Sequence, residues 1–175
     1  MKVRLCCTVA LLLQVVLVGC HKPETVSKSS SAAANQLYLN EAQARLPTVK
    51  LWLGSQELLA EIAKTPTQVA TGMMFRKEIA ENEAMLFVFA RPYQASFYMR
   101  NTIVPLSCAY IDSEGVILEV HNLKPLDETP VEAASTRVQF VLETKQGWFE
   151  RNNIALGSVV RTEHGSLADT FLASR

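Results

Sequence analysis

Apolar and polar positions alternate along residues 49–62 with a period of two. Val49, Leu51 and Leu53 alternate with Lys50 and Trp52, then Leu58, Ala60 and Ile62 with Leu59 and Glu61. Successive strand side chains point to opposite faces, so this pattern predicts two half-buried strands. Gly54-Ser55 between them is a turn, which makes a hairpin. The period then changes. Thr65-Pro66-Thr67-Gln68 predicts a helix start: Thr65 caps, Pro66 suits the first helical position and Gln68 completes a capping box. This helix is expected to end near Gly72. Glu81-Asn82-Glu83 reads as a solvated loop and Met85 to Phe89 as a buried strand.

Further strands are predicted at Ser96–Met99, Ser107–Ile111, Val116–Leu123, Arg137–Thr144 and Ser158–Thr162, with a turn at Ser113-Glu114-Gly115. Lys124 to Ser135, with Pro125, Pro130 and several acids, reads as a long exposed loop. Trp148 to Asn153 is expected to make one or two helical turns, and the chain from Glu163 is expected to fray. Gln36 to Leu46 has Leu39, Ala42 and Leu46 spaced for one helical face, ended by Pro47. These elements predict a mainly β (α+β) fold, a compact, partly closed sheet or barrel-like domain with two short helices.

The first twenty residues follow a different rule. Lys2 and Arg4 precede a stretch, Leu5 to Val18, that carries no charge. As a helix it would rise roughly 21 Å, short of the ~30 Å hydrocarbon core of a bilayer. A secretory signal therefore fits better than a transmembrane helix. Leu17-Val18-Gly19-Cys20 resembles the end of a bacterial lipoprotein signal. The resemblance implies that Cys20 carries acyl chains and becomes the N-terminus. His21, where an Asp often marks inner-membrane retention, implies the outer membrane, facing the periplasm. His21 to Asn35, rich in Ser and Ala, cannot bury enough surface to order itself. The expected organisation is a signal peptide over 1–19, a lipidated Cys and tether over 20–46, one β-rich domain over 47–163 and a tail over 164–175.

Charge narrows the partners. The 175 residues hold 17 basic and 17 acidic side chains, with no basic run. Nucleic acid is therefore not an expected partner. The membrane, reached through Cys20, is, together with a small polar ligand or an envelope protein. Cys6 and Cys7 leave with the signal and Cys20 takes lipid, so Cys108 remains as the one free thiol and no internal disulfide is expected.

Several motifs occur in order: Thr71-Gly72-Met73-Met74-Phe75-Arg76, Met85 to Phe89, Phe97-Tyr98-Met99-Arg100-Asn101-Thr102-Ile103-Val104-Pro105-Leu106, Lys124-Pro125-Leu126, and Val141-Leu142-Glu143 before Gly147. Together, over about residues 48 to 162, they resemble the uncharacterised family called domain of unknown function 192. The resemblance implies a compact, largely β, often exported domain and no settled activity. Ser107 stands where the family usually has Asp, Cys108 where it has an apolar residue, and Tyr98 and Arg100 where Trp and Lys are usual.

The polar members of these motifs, Arg76, Arg100, Asn101, Thr102 and Glu143, are the candidate ligand-binding residues. Arginine offers a planar fork for carboxylate or phosphate, and Asn and Thr both donate and accept. The competing reading is structural: an internal ion pair such as Arg76 with Glu143, with Asn101 and Thr102 satisfying loop backbone. No catalytic residue can be assigned. Cys108 and His121 as nucleophile and base lack local support, since Cys108 sits in an apolar run. His21, His121 and His164 have no ligand spacing, and Met73, Met74, Met85 and Met99 suit the core better than Cu(I). Neither a metal nor a cofactor is expected. Asp127, Glu128 and Glu132 read as a solvated loop, and Trp148 and Phe149 as a helix face on the core. The expected function is a lipid-anchored envelope protein with a non-catalytic binding domain. The alternative is a hydrolase of envelope material working through Arg76, Asn101, Thr102 and Glu143.

Overall fold

The alternating segments form the predicted hairpin. In the computed structural model, which describes residues 36–173, β1 (Thr48–Leu53) and β2 (Gln56–Ala63) pair antiparallel, Leu51 opposite Leu58. Gly54 turns the chain at a φ of 61° that favours glycine. Thr65 then caps α1 (Pro66–Thr71): its hydroxyl accepts from the Gln68 N–H, and the Gln68 side chain accepts from the Thr65 N–H. The expected signal peptide, Cys20 and the expected tether up to residue 35 lie outside the described residues.

β3 (Glu83–Tyr93) runs parallel to β2. Parallel neighbours need a crossover of a dozen or more residues, and residues 64–82, which include α1, supply it. β4 (Ser96–Phe97) follows, then β5 (Leu106–Ile111), β6 (Ile117–Leu123), β7 (Val131–Glu132) and β8 (Val138–Lys145). After α2 (Trp148–Arg151) come β9 (Val160–Thr162), β10 (Gly165–Ser166) and α3 (Leu167–Phe171). The main sheet has the order β10-β9-β1-β2-β3-β8-β5-β6, and β4 pairs with β7 in a second, two-stranded sheet.

The fold is mostly β, as the pattern predicted, with three short helices where two were expected. The large sheet is mixed and is not closed into a barrel. The link between its two end regions is an isolated antiparallel bridge, Val116 to Val159.

Central strands β3, β8 and β5 are covered on both faces. Leu86, Ile111, Phe140 and Leu142 pack with Trp148, Phe149 and Leu167 on one side, and Met85, Phe87, Cys108, Tyr110 and Val141 on the other. Two-faced burial explains why Met85–Phe89 and Leu106–Ile111 read as continuous apolar runs rather than alternating ones.

Four expectations need correction. Residues 36–46 hold no helix and do not trail as tether. They pack on the domain: the Gln43 side-chain amide donates to Gly72 O at 2.8 Å, and the Leu39 N–H donates to the Thr71 hydroxyl at 3.1 Å. The stretch from Lys124 to Ser135 contains β7, and Ala133 is fully buried. Glu83, expected in a loop, opens β3. The expected fraying from Glu163 is replaced by β10 and α3, because Ser166 and Asp169 form a second capping box and Leu167 is buried in the core.

Candidate functional site

One lateral row of side chains crosses the face of the sheet that carries Met85 and Cys108. Strand registers place Glu61 on β2 beside Met85 on β3, Met85 beside Glu143 on β8, Glu143 beside Cys108 on β5, and Cys108 beside His121 on β6. Two buried carboxylates therefore lie on one face, and their surroundings differ.

Glu61 is satisfied from three directions. Its Oε1 lies 2.8 Å from Arg45 Nη1; its Oε2 lies 3.0 Å from Arg76 Nη2 and 2.8 Å from the Leu46 N–H. The Arg76 side chain is only 11% exposed and that of Glu61 6%. Arg76 thus pairs with Glu61 and not with Glu143, which corrects the ion pair expected from sequence.

Glu143 has no such partner. Its residue is 4% exposed and its Oε2 has no hydrogen-bond partner. Burial pushes the carboxyl up to about 8, because removal from water penalises the charged form. The group is therefore mostly protonated at neutral pH.

Glu143 lines a cavity of about 160 Å³. The segment from Val69 to Met74 forms one wall, where α1 ends at Gly72. Gly72 has a φ of 47°, and a Cβ there would sit 3.3 Å from the Phe87 ring, so glycine lets this turn rest on the aromatic floor. Phe87 and Phe97 meet edge to face with centroids 5.0 Å apart. Tyr93, Ser96, Tyr98 and Thr102 complete the lining, and Tyr93 and Tyr98 are more than a third exposed, which puts them at the rim.

Of the five residues singled out from sequence, the structure brings Thr102 and Glu143 to this cavity. Thr102 is buried and its hydroxyl donates to Arg100 O at 3.1 Å. Asn101, with a φ of 53°, supports the wall indirectly, its carbonyl accepting from the Phe75 N–H at 2.8 Å. Arg100 is at the surface, 2.6 Å from Glu128 and over the rings of Tyr38 and Tyr98. Arg76 is at Glu61. Sequence reasoning missed the aromatic rim, Ser96 and the role of Glu61. The one available signal for Glu61 was a carboxylate in a strand otherwise rich in apolar residues.

Cys108 and His121 are cross-strand neighbours, yet the pair is not set up for nucleophilic attack. The thiol is fully buried and pushed up to about 12, chiefly by burial and then by Glu143, whereas a reactive cysteine needs a lowered value. His121 Nε2 sits 3.0 Å from Glu119 Oε2 instead. Ser107, in place of the usual Asp, accepts from the Gly147 N–H at 2.8 Å and bonds Asn122, so it holds the entry to α2. Trp148 and Phe149 are buried. Among the described residues no group of three His, Cys, Asp or Glu is placed to hold a metal ion, and no helix is long and apolar enough to cross a membrane.

Comparison with known proteins fits this geometry into a family. The family domain of unknown function 192, described as an uncharacterized ACR, matches residues 49–162. The chain belongs to that family. Glu61, Arg76, Thr102, Glu143 and the cavity walls all fall within the matched span, so the site is part of the domain-of-unknown-function-192 unit itself. A solved protein of unknown function from Novosphingobium aromaticivorans DSM 12444 is 33% identical, with a TM-score of 0.64, covering 66% of this chain and 86% of that one. A candidate transcription regulator from Sinorhizobium meliloti 1021 is 28% identical, also with a TM-score of 0.64, over 69% of this chain and 97% of that one. No curated protein matches.

Proposed function

We propose that this member of the family is a lipid-anchored accessory domain of the bacterial envelope, at the outer membrane and facing the periplasm, which binds a small polar ligand without transforming it. The single observation that carries the binding part is an unpartnered, buried carboxyl on the wall of a cavity. A buried polar group left without a partner costs about 1–3 kcal/mol, and a ligand that supplies the partner recovers that cost. The aromatic surroundings suit a ligand with an apolar body and one or two polar groups. The anchoring part is supported by the Leu5–Cys20 pattern. Acyl chains add about 0.8 kcal/mol per buried methylene, so two or three chains on Cys20 hold the domain at the bilayer.

A second reading has one observation in its favour. A carboxyl held near 8 is poised as a general acid, which suits hydrolysis of envelope material. The lining offers no nucleophile partnered with a base, so binding is preferred.

Both are tested on the full chain purified in detergent and mixed with a library of small envelope metabolites. Binding predicts ligand-induced shifts of Tyr93, Phe97 and Tyr98 resonances, at least tenfold weaker in Glu143→Gln, with the ligand recovered unchanged. Conversion of the ligand that disappears in Glu143→Gln would replace binding by hydrolysis. The same preparation should enter the detergent phase, and a Cys20→Ser chain the aqueous phase.

A further inference from the structure

Glu143 is the one side chain lining the cavity that can carry a full charge near neutral pH, and no arginine, lysine or histidine lines it. The two arginines singled out together with Thr102 and Glu143 are committed elsewhere: Arg76 to Glu61 and Arg100 to Glu128. An anion entering here would find no cation to offset its charge. An ammonium group would meet the Glu143 carboxyl together with Phe87, Phe97, Tyr93 and Tyr98, which line the same cavity. Aromatic rings attract desolvated cations through the negative charge of their faces. A dry cavity of ~150 Å³ holds one benzene, so about 160 Å³ holds one small organic body or one end of a larger molecule.

From this arrangement we infer that the cavity takes a primary amine on a small apolar or aromatic body, its ammonium group paired with Glu143. The inference rests on the binding reading above and names its ligand class. Pairing requires the carboxylate, and burial keeps the carboxyl protonated at pH 7. Binding therefore releases one proton to solvent, and affinity rises with pH. Other groups facing Glu143 do not disturb this dependence. Cys108 from β5 is pushed up to about 12 and Tyr93 from the end of β3 to about 12, so neither ionises between pH 6 and 8. β3 otherwise presents Met85, Phe87 and, at its start, Glu83, which is paired with Arg45, and the wall from Val69 to Met74 presents no charge. Tyr98 and, behind it, Arg100 stand at the rim. Glu61 on β2 is already paired with Arg45 and Arg76, and His121 lies two strands from Glu143, on β6, with its Nε2 3.0 Å from Glu119.

The test uses three probes of one shape, benzylamine, benzyl alcohol and benzoate, titrated into the full chain in detergent at pH 6, 7 and 8. Calorimetry in two buffers of different ionisation enthalpy counts protons. Benzylamine, protonated throughout, should bind best, tighten about tenfold from pH 6 to pH 7, and release close to one proton. Glu143→Gln should weaken it at least tenfold, and Tyr98→Ala, at an exposed rim position, several-fold. Circular dichroism of both variants should match the parent. Equal or tighter binding of benzyl alcohol or benzoate, or benzylamine binding that ignores pH and Glu143→Gln, would overturn the amine class and leave the cavity a binding site. Absence of binding by all three probes at every pH would overturn both.

Discussion

Between pH 5 and pH 8 the folded domain is expected to lose about 4 kcal/mol of stability through Glu143 alone. The carboxyl stands near 4.5 when water reaches it and is pushed up to about 8 by burial. Below 4.5 both folded and unfolded chains hold the proton, and the folded state has no charge to bury. Between the two values only the folded chain holds it, so each pH unit costs the folded state ~1.4 kcal/mol. Above 8 the penalty is complete and flat. The stabilising condition is thus the acidic one, the reverse of a carboxylate held by an ion pair. Urea unfolding at pH 5, 6, 7 and 8, compared between parent and Glu143→Gln, isolates this group from all others. The difference in unfolding free energy should shift steadily in favour of the glutamine variant, by close to 4 kcal/mol over the range. Parallel pH profiles for the two proteins would show that Glu143 is ionised and compensated in the fold.

The second large effect is expected at the other buried carboxylate. Glu61→Ala removes the acceptor of Arg76, Arg45 and the Leu46 N–H together. Arg45 is 62% exposed and turns to water, but Arg76 is 11% exposed and its Nε is already without a partner. Stranding one member of a buried pair costs about 3–5 kcal/mol, roughly a 10–17 °C fall in melting temperature for a domain of this size. Replacing both partners by apolar residues of similar volume, Glu61→Leu with Arg76→Met, should cost far less than the single change, because no charge is left buried. Thermal unfolding of the three proteins checks this. The double variant should also keep whatever ligand response the parent shows, since Arg76 does not line the cavity. Loss of that response with stability intact would return Arg76 to the binding site.

Local signals in the sequence carried well into the structure. The period-two hairpin and the capping box at Thr65 formed as expected because their physics lies within a few residues of chain. Ser166 and Asp169 carried the same capping signal, and it was overlooked in a segment expected to fray. The parallel pairing of β2 and β3 was not legible, since nothing in either strand encodes a partner reached across residues 64–82. Docking of residues 36–46 escaped for another reason: the segment is mostly exposed, and Gln43, its one buried residue, holds its place by amide hydrogen bonds to Gln68 O and Gly72 O rather than by apolar surface.

The candidate site was half legible. Thr102 and Glu143 were singled out as polar side chains in otherwise apolar motifs, and they do share a cavity. The partner of Arg76 was misassigned because Glu61 and Glu143 are both strand carboxylates on one face. Which of them meets the guanidinium depends on how the segment around Arg76 folds back onto β2. Arg100 shares a motif with Thr102, but its side chain is held at the surface by Glu128 and by the rings of Tyr38 and Tyr98.

The protonation of Glu143 itself is the most direct test. In protein labelled with ¹³C at glutamate carboxyls, its resonance is the one absent from Glu143→Gln, and it can be followed from pH 3 to pH 10. An unpartnered carboxyl on a buried cavity wall predicts a midpoint near 8. A midpoint in the ordinary range around 4.5 would mean that water or a hidden donor reaches the group, and the site built on it would not stand.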